Sequence, residues 1–336
     1  MKMRKFAALC FLFVCLWLLF GAAQKIALLY PSVSLRYSAT APLTAKNVTD
    51  ARSFAIDGEN TNALFPTFWY EASVTARAAQ KSAIFPAVYF LGSGADCYAA
   101  TFLTGSYPGA MDARGCALSS EAAWQLFGSN DIIGQEIVLQ KKAYAIRGVF
   151  QNEQPLCLVG ATETAPFTAI ELSGTPRADR RGAALLFLTQ AGLPPPAQIV
   201  YGPSIATGTA VLCYVPVLMV GLCVLNALWR KSRLWSAARR QLFYFGVLLL
   251  FALLLPLLLA QIPAWMIPPK WSDFTFWTQF WETAKENLRT WFALVPMQKD
   301  IVVKLLLLRF AAIFFVCIFA TGAAICMYLL PQCCKK

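Results

Sequence analysis

A chain of 336 residues without one histidine lacks the side chain that most readily moves protons near neutral pH. Ser-His-Asp and Cys-His nucleophiles, HExxH metal sites and imidazole acid–base chemistry are closed to it. No Gly-Lys-Ser/Thr phosphate loop occurs, so ATP hydrolysis would belong to a separate subunit. Gly92-Ser93-Gly94 lacks the third glycine and the following helix of a dinucleotide fingerprint and reads as a turn. Asp96, Asp112 and Asp131 stand apart near turn-forming residues and read as solvated groups or caps. No catalytic group, cofactor site or metal site is expected, and the chain reads as a non-enzyme.

Eleven cysteines remain as candidates for chemistry. Cys10, Cys15, Cys213, Cys223, Cys317 and Cys326 fall in apolar runs, where a thiol behaves as a small hydrophobe, and Cys333 and Cys334 close the tail. Cys97, Cys116 and Cys157 lie in the long segment between the runs. Three thiols allow at most one disulfide, and Cys97 with Cys116 is the pair expected from proximity in sequence.

The elements that position these residues are set by hydropathy. The chain is 58% hydrophobic with a mean hydropathy of +0.55. Four apolar runs, residues 6–23, 207–229, 242–262 and 305–330, come near or exceed the roughly 20 residues that span a hydrocarbon core. The net charge of +12 resembles a nucleic-acid footprint until its distribution is examined. Lys2, Arg4 and Lys5, then Arg230, Lys231, Arg233, Arg239 and Arg240, then Lys335 and Lys336 form three acid-free groups, and four crossings put all of them on one side. That is the positive-inside pattern; it implies cytoplasmic termini, a cell-membrane location and lipid contact, and no nucleic-acid partner. Residues 31–206 carry twelve Lys/Arg and thirteen Asp/Glu, near neutrality, as a translocated domain would.

The expected organisation is an α-helical membrane protein of four transmembrane helices with an α+β extracytoplasmic domain. Residues 1–30 form an N-terminal anchor, with a cleaved signal peptide ending near Gly21-Ala22-Ala23 as the alternative. Residues 31–206 form the α+β domain. Residues 207–336 hold three membrane helices and an outer-face amphipathic segment at 263–301, where Trp277, Trp281, Ala284, Leu288 and Trp291 recur at helical spacing. There Glu282 with Lys285 and Glu286 with Arg289 are spaced to pair. Within 31–206, strands are expected over 68–76, 82–91, 167–172 and 198–201, and a helix over 179–190.

Residues 117–150 organise this domain. Leu118 ends an apolar strand, Ser119 or Ser120 can cap a helix, Ala123, Leu126 and Phe127 share a helical face, and Gly128 stops it. A hairpin follows, with arms 137–139 and 144–150. The order of Leu118, Ser119, Ala123, Leu126, Phe127, Gly128, Asp131, Ile133, Gly134, Ile137, Leu139, Tyr144, Ile146, Gly148 and Val149 resembles the MacB-like periplasmic core domain of ABC transporter permeases of the MacB/FtsX class. That family often turns its hairpin with Asn-Gly; Gln140-Lys141 here suggests a longer or irregular loop.

The resemblance implies a permease-like subunit that moves a substrate or transmits conformational change to an extracytoplasmic partner, driven by a separate ABC ATPase subunit. A homodimer or paired permease and an extracytoplasmic adaptor are further implied partners. The family's longer cytoplasmic coupling stretch, with its acidic signature, is missing between the second and third runs. Arg230, Lys231, Arg233, Arg239 and Arg240 are what remains to contact an ATPase, and lipid-headgroup anchoring is the competing role for them. The alternative function is a non-transporting, membrane-anchored binding or scaffold protein.

Overall fold

A computed structural model describes residues 2–56, 64–78, 81–174, 180–260, 267–268, 270, 272–293 and 296–333. The chain divides into two compact units. One is α+β and comprises Leu29–Pro203 with Val295–Ile301; the other comprises Met1–Leu28, Ser204–Leu294 and Val302–Lys336, and its described regular elements are helices.

The α+β unit is built on β1 (Val33–Arg36), β2 (Leu64–Ala78), β3 (Lys81–Leu91), β4 (Phe102–Gly105), β5 (Gly115–Ser119), β6 (Glu136–Leu139), β7 (Lys142–Phe150), β8 (Cys157–Gly160), β9 (Ala169–Gly174) and β10 (Gln198–Tyr201). They run in the order β10-β1-β9-β2-β3-β8-β5-β7-β4. Strand β6 pairs with both β7 and β2, so the pairings β2-β3-β8-β5-β7-β6 close on themselves as a six-strand ring.

Side chains alternate across the pleat and so divide the apolar residues between two faces. Phe68, Val74, Phe85, Tyr89, Cys116, Leu118, Ile146 and Val159 belong to one buried cluster, and Trp69, Val88, Phe90, Ala117, Phe150 and Leu158 to another. Strands β5 and β8 are buried at every residue, so neither needs an alternating pattern. Pro86 is tolerated inside β3 because the β8 pairing begins only at Ala87.

Four helices belong to the loops of this unit: α2 (Ala45–Ile56), the short α3 (Gly94–Cys97), α4 (Ser120–Phe127) and α5 (Arg180–Gln190). The expected start of α5 at Asp179 lies outside the described residues. Helix α4 starts and stops as its sequence requires: Ser119 Oγ accepts from the Ala122 N–H at 3.2 Å, and Gly128, at φ 72°, donates to the Trp124 carbonyl at 3.0 Å. Ala122, Ala123 and Leu126 are buried in the first cluster.

The β6–β7 loop departs from expectation. It is a two-residue turn, with Leu139 facing Lys142 in register and positive φ at both Gln140 (46°) and Lys141 (74°). Ring closure explains the tightness. Leu139 is held against Ala76 of β2 and Tyr144 is buried on β7, so no slack is left for a longer connection.

In the helical unit, α1 (Lys2–Leu29), α6 (Gly202–Ser232), α7 (Ala237–Ala260), α8 (Phe274–Ala293) and α9 (Gln298–Cys333) account for the described segments. Within it Leu12, Cys15, Leu19, Ala23 and Ile26 form a buried stripe of α1 that clusters with Cys213 of α6 and Phe310 and Cys317 of α9. Three helical stretches, Cys10–Leu29, Gly202–Ser232 and Gln298–Ala324, are long and apolar enough to cross a membrane. The fourth expected span, 242–262, corresponds to α7 and continues past the described residues. Among the described residues the count is therefore three, and four spans stay a proposal. Helix α8 covers part of the amphipathic segment, with Trp281 exposed and Trp291 buried. Glu282, Lys285, Glu286 and Arg289 are all exposed, and the expected pairs are not among the ion pairs of the described residues.

A non-glycine residue at positive φ costs about 1–2 kcal/mol. Gln140→Asn with Lys141→Gly should relieve that strain and raise the apparent unfolding temperature of the full chain by a few degrees. An unchanged or lower melting temperature would show that the turn is not strained.

Candidate functional site

Four charged side chains meet inside the α+β unit, where unpaired charge is costly. Glu171 is fully buried on β9; Arg36 of β1 and Lys299 and Asp300 of α9 are 6%, 5% and 2% exposed. Lys299 Nζ lies 2.9 Å from Glu171 Oε2, and Arg36 Nη2 lies 3.1 Å from Asp300 Oδ1 and 3.7 Å from Glu171 Oε1. The two cations and two carboxylates cancel.

Hydrogen bonds complete the site. Ser32 and Ser34 donate to Glu171 at 2.5 and 2.6 Å, and the Trp69 indole N–H donates to it at 3.2 Å. Lys299 also donates to the Asp96 carbonyl at 2.5 Å and to Ser32 Oγ at 3.1 Å. Tyr30 donates to Asp300 at 3.2 Å, and Arg36 donates to Met297 Sδ. Aromatic faces cover both cations: Arg36 is 4.7 Å from the Trp69 ring centroid and Lys299 is 4.6 Å from that of Tyr30. Burial by itself would push Glu171 upward, but Lys299, Arg36 and the serine hydroxyls outweigh it and hold its carboxyl below the ordinary range.

Glu71, on the same face of β2 as Trp69, is different. It accepts the Gln298 N–H at 2.7 Å and so caps the start of α9. Burial pushes its pKa up to about 7, with Asp300 adding to the rise and the Gln298 N–H and Arg36 opposing it.

The arrangement has no nucleophile and no open coordination position. Among the described residues no group of three His, Cys, Asp or Glu could hold a metal. Its chemical capacity is mechanical: β1, β2, β9 and the first turn of α9 are locked together through one carboxylate.

No family model and no curated protein matches the sequence. Two solved structures it is similar to are outer domains of transporters. The periplasmic region of MacB from Actinobacillus actinomycetemcomitans aligns at 11% identity and a TM-score of 0.43, over 52% of this chain and 89% of that one. The extracellular domain of the noncanonic ABC-type transporter YknZ from Gram-positive bacteria aligns at 15% and 0.38, over 49% and 96%.

The motif residues of that pattern are structural here and lie apart from the charge cluster. Leu118 and Val149 are buried, Ser119 caps α4, and Phe127 and Gly128 end it. Gly134, at φ 83°, donates to the Ile146 carbonyl at 2.9 Å. Tyr144 is buried on β7, and at Gly148 a side chain would come within 2.6 Å of the Ser106 carbonyl. Arg230 and Lys231 lie at the end of α6, Arg233 in the short turn after it and Arg239 and Arg240 at the start of α7, and none is in an ion pair among the described residues.

The expected Cys97–Cys116 bridge is corrected. Both are free thiols in different clusters, Cys97 beside Trp69 and Phe150, and Cys116 with Cys157 in the other. The sheet stands between them. Burial pushes the Cys97 and Cys157 thiols up, which suits packing rather than reactivity. Cys334 and the Cys333 side chain lie outside the described residues.

Sequence reading missed Arg36, Glu171, Lys299 and Asp300. The available signal was a Lys-Asp pair at the mouth of an apolar helix and lone charges inside otherwise apolar strands.

Two outcomes test the site. Glu171→Gln strands Lys299 and should destabilise by about 3–5 kcal/mol, whereas adding Lys299→Met should cost less than the two changes summed; additive melting shifts would show that the pair is not coupled. Glu71, with a folded pKa of about 7 against a reference value of 4.5, binds its proton more tightly when folded. Its contribution is thus full at acid pH and lost as pH rises through 7. Glu71→Gln should remove the part of the melting-temperature decline that falls across this window.

Proposed function

We propose that this chain is the permease-like membrane subunit of an ABC transporter or mechanotransmission complex of the MacB/FtsX class. In this reading residues 31–206 stand outside the cytoplasmic membrane as a MacB-like core domain, carried by four spans with both termini in the cytosol. The observation that carries it is the charge cluster. Residues of β1 and the first turn of α9 are bonded to one buried carboxylate of β9, so within the α+β unit these segments and the sheet are tied at one point. Transmission then needs two helix packings that a nucleotide-bound partner stabilises unequally.

The implied partners are an ABC ATPase subunit, reached through Arg230, Lys231, Arg233, Arg239 and Arg240, a second permease copy or paired permease, an extracytoplasmic adaptor and membrane lipid. A second reading, a non-transporting anchored scaffold, is favoured by one feature: α6 ends at Ser232 and α7 begins at Ala237, leaving no room for a coupling helix between them.

Affinity purification of the full chain from its native membrane decides between them. The first reading expects an ATP-binding subunit in stoichiometric amount, lost on Arg239→Glu with Arg240→Glu; a stable ATPase-free assembly supports the scaffold. The topology is checked on intact cells, where an impermeant thiol reagent should leave Cys333 and Cys334 unmodified.

A further inference from the structure

The six-strand ring has a second feature, remote in sequence from the charge cluster. Helix α4 leaves β5 at Ser120, beyond one end of the ring. Toward the start of β5 the register runs Cys116 to Val159, Val159 to Tyr89 and Tyr89 to Tyr70. At this level, away from α4, a groove of about 680 Å³ opens, lined by Tyr70, Tyr89, Tyr144, Arg114, Lys142 and small residues of the 160–166 loop. That volume falls within the range of small-molecule sites, which favour barrel mouths.

Its lining is chemically one-sided. Among the described residues Arg114 and Lys142 are the charged groups that line it, and neither is in an ion pair there. Tyr70 and Tyr89 stack at 4.8 Å with 9° between the rings. The hydroxyls of Tyr70, Tyr89 and Tyr144 have no hydrogen-bond partner among the described residues. Burial pushes Tyr70 up to about 12 and raises Tyr89 and Tyr144, so all three phenols keep their protons and can donate. Among the described residues no Leu, Ile, Val, Phe or Met lines the groove, and its apolar surface comes from the tyrosine rings, alanines and Pro166. What it offers is two cations and three donors within one small volume, which matches an oxygen-rich anion of one or two rings.

We propose that this groove binds an anionic saccharide, with its acid group held by Arg114 and Lys142 and its hydroxyls by the three phenols. The proposal does not depend on an ATPase partner.

The test is titration of the full chain in nanodiscs with glucuronate, glucose 6-phosphate, glucose and octanoate, followed by calorimetry. Saturable binding of either anionic sugar, with glucose about tenfold weaker or worse, supports the proposal, and the preferred sugar identifies the acid group as carboxylate or phosphate. Arg114→Gln with Lys142→Gln should weaken that binding about tenfold or more, and Tyr144→Phe about threefold. Both cations are exposed, so the double variant should melt with the parent. Absence of saturation up to roughly 20 mM, well beyond ordinary ligand affinities, would overturn the proposal. So would equal binding by the double variant, or tighter binding of octanoate than of either anionic sugar.

Discussion

Glu171 is the constraint on which this structure turns. A carboxylate with no exposed surface is tolerated only when its lone pairs and its charge are both answered, and here three hydrogen-bond donors and two cations do so. Each partner is in turn committed. Lys299 and Asp300 complete the set from within the α+β unit, which includes Val295–Ile301. An apolar replacement would hold the strands together as well. It would not dictate which turn of α9 docks, and that register is the specific consequence of a charge set that leaves a cation or a carboxylate stranded if shifted.

The remainder of the unit follows from sheet geometry. Closing six strands into a ring fixes the register of β6 between β2 and β7 and forces the Gln140-Lys141 turn to be tight despite residues ill suited to positive φ. The family-like residues of 117–150 serve this closure: a cap, a helix stop, and glycines where a side chain would collide or a backbone must turn left-handed. They are shape residues. The charge cluster and the tyrosine groove, which have chemistry to offer, use none of them except Tyr144.

The same division separates what function could be read from the chain. The α+β unit holds two sets of polar groups of opposite character. One is a joint with every charge answered; the other is a concavity whose cations and hydroxyls are left open.

Local and periodic features were legible in the sequence because they depend on neighbours a few residues away. The apolar runs, the Ser119 cap, the Gly128 stop and the strands around 68–76 and 82–91 depend on backbone propensity and burial period, which are written along the chain. The Cys97–Cys116 pairing failed because proximity in sequence says nothing about which face of a sheet each thiol occupies. The length of the 140–141 turn depended on a β2–β6 contact more than sixty residues away. Arg36, Glu171 and Lys299 are separated by over a hundred residues at each step, and alone each resembles an ordinary surface charge. Sequence by itself determined which segments are apolar and where helix α4 begins and ends. Only the tertiary structure decided which charges meet, because burial of one carboxylate is paired by residues that the chain brings together only when the sheet is complete.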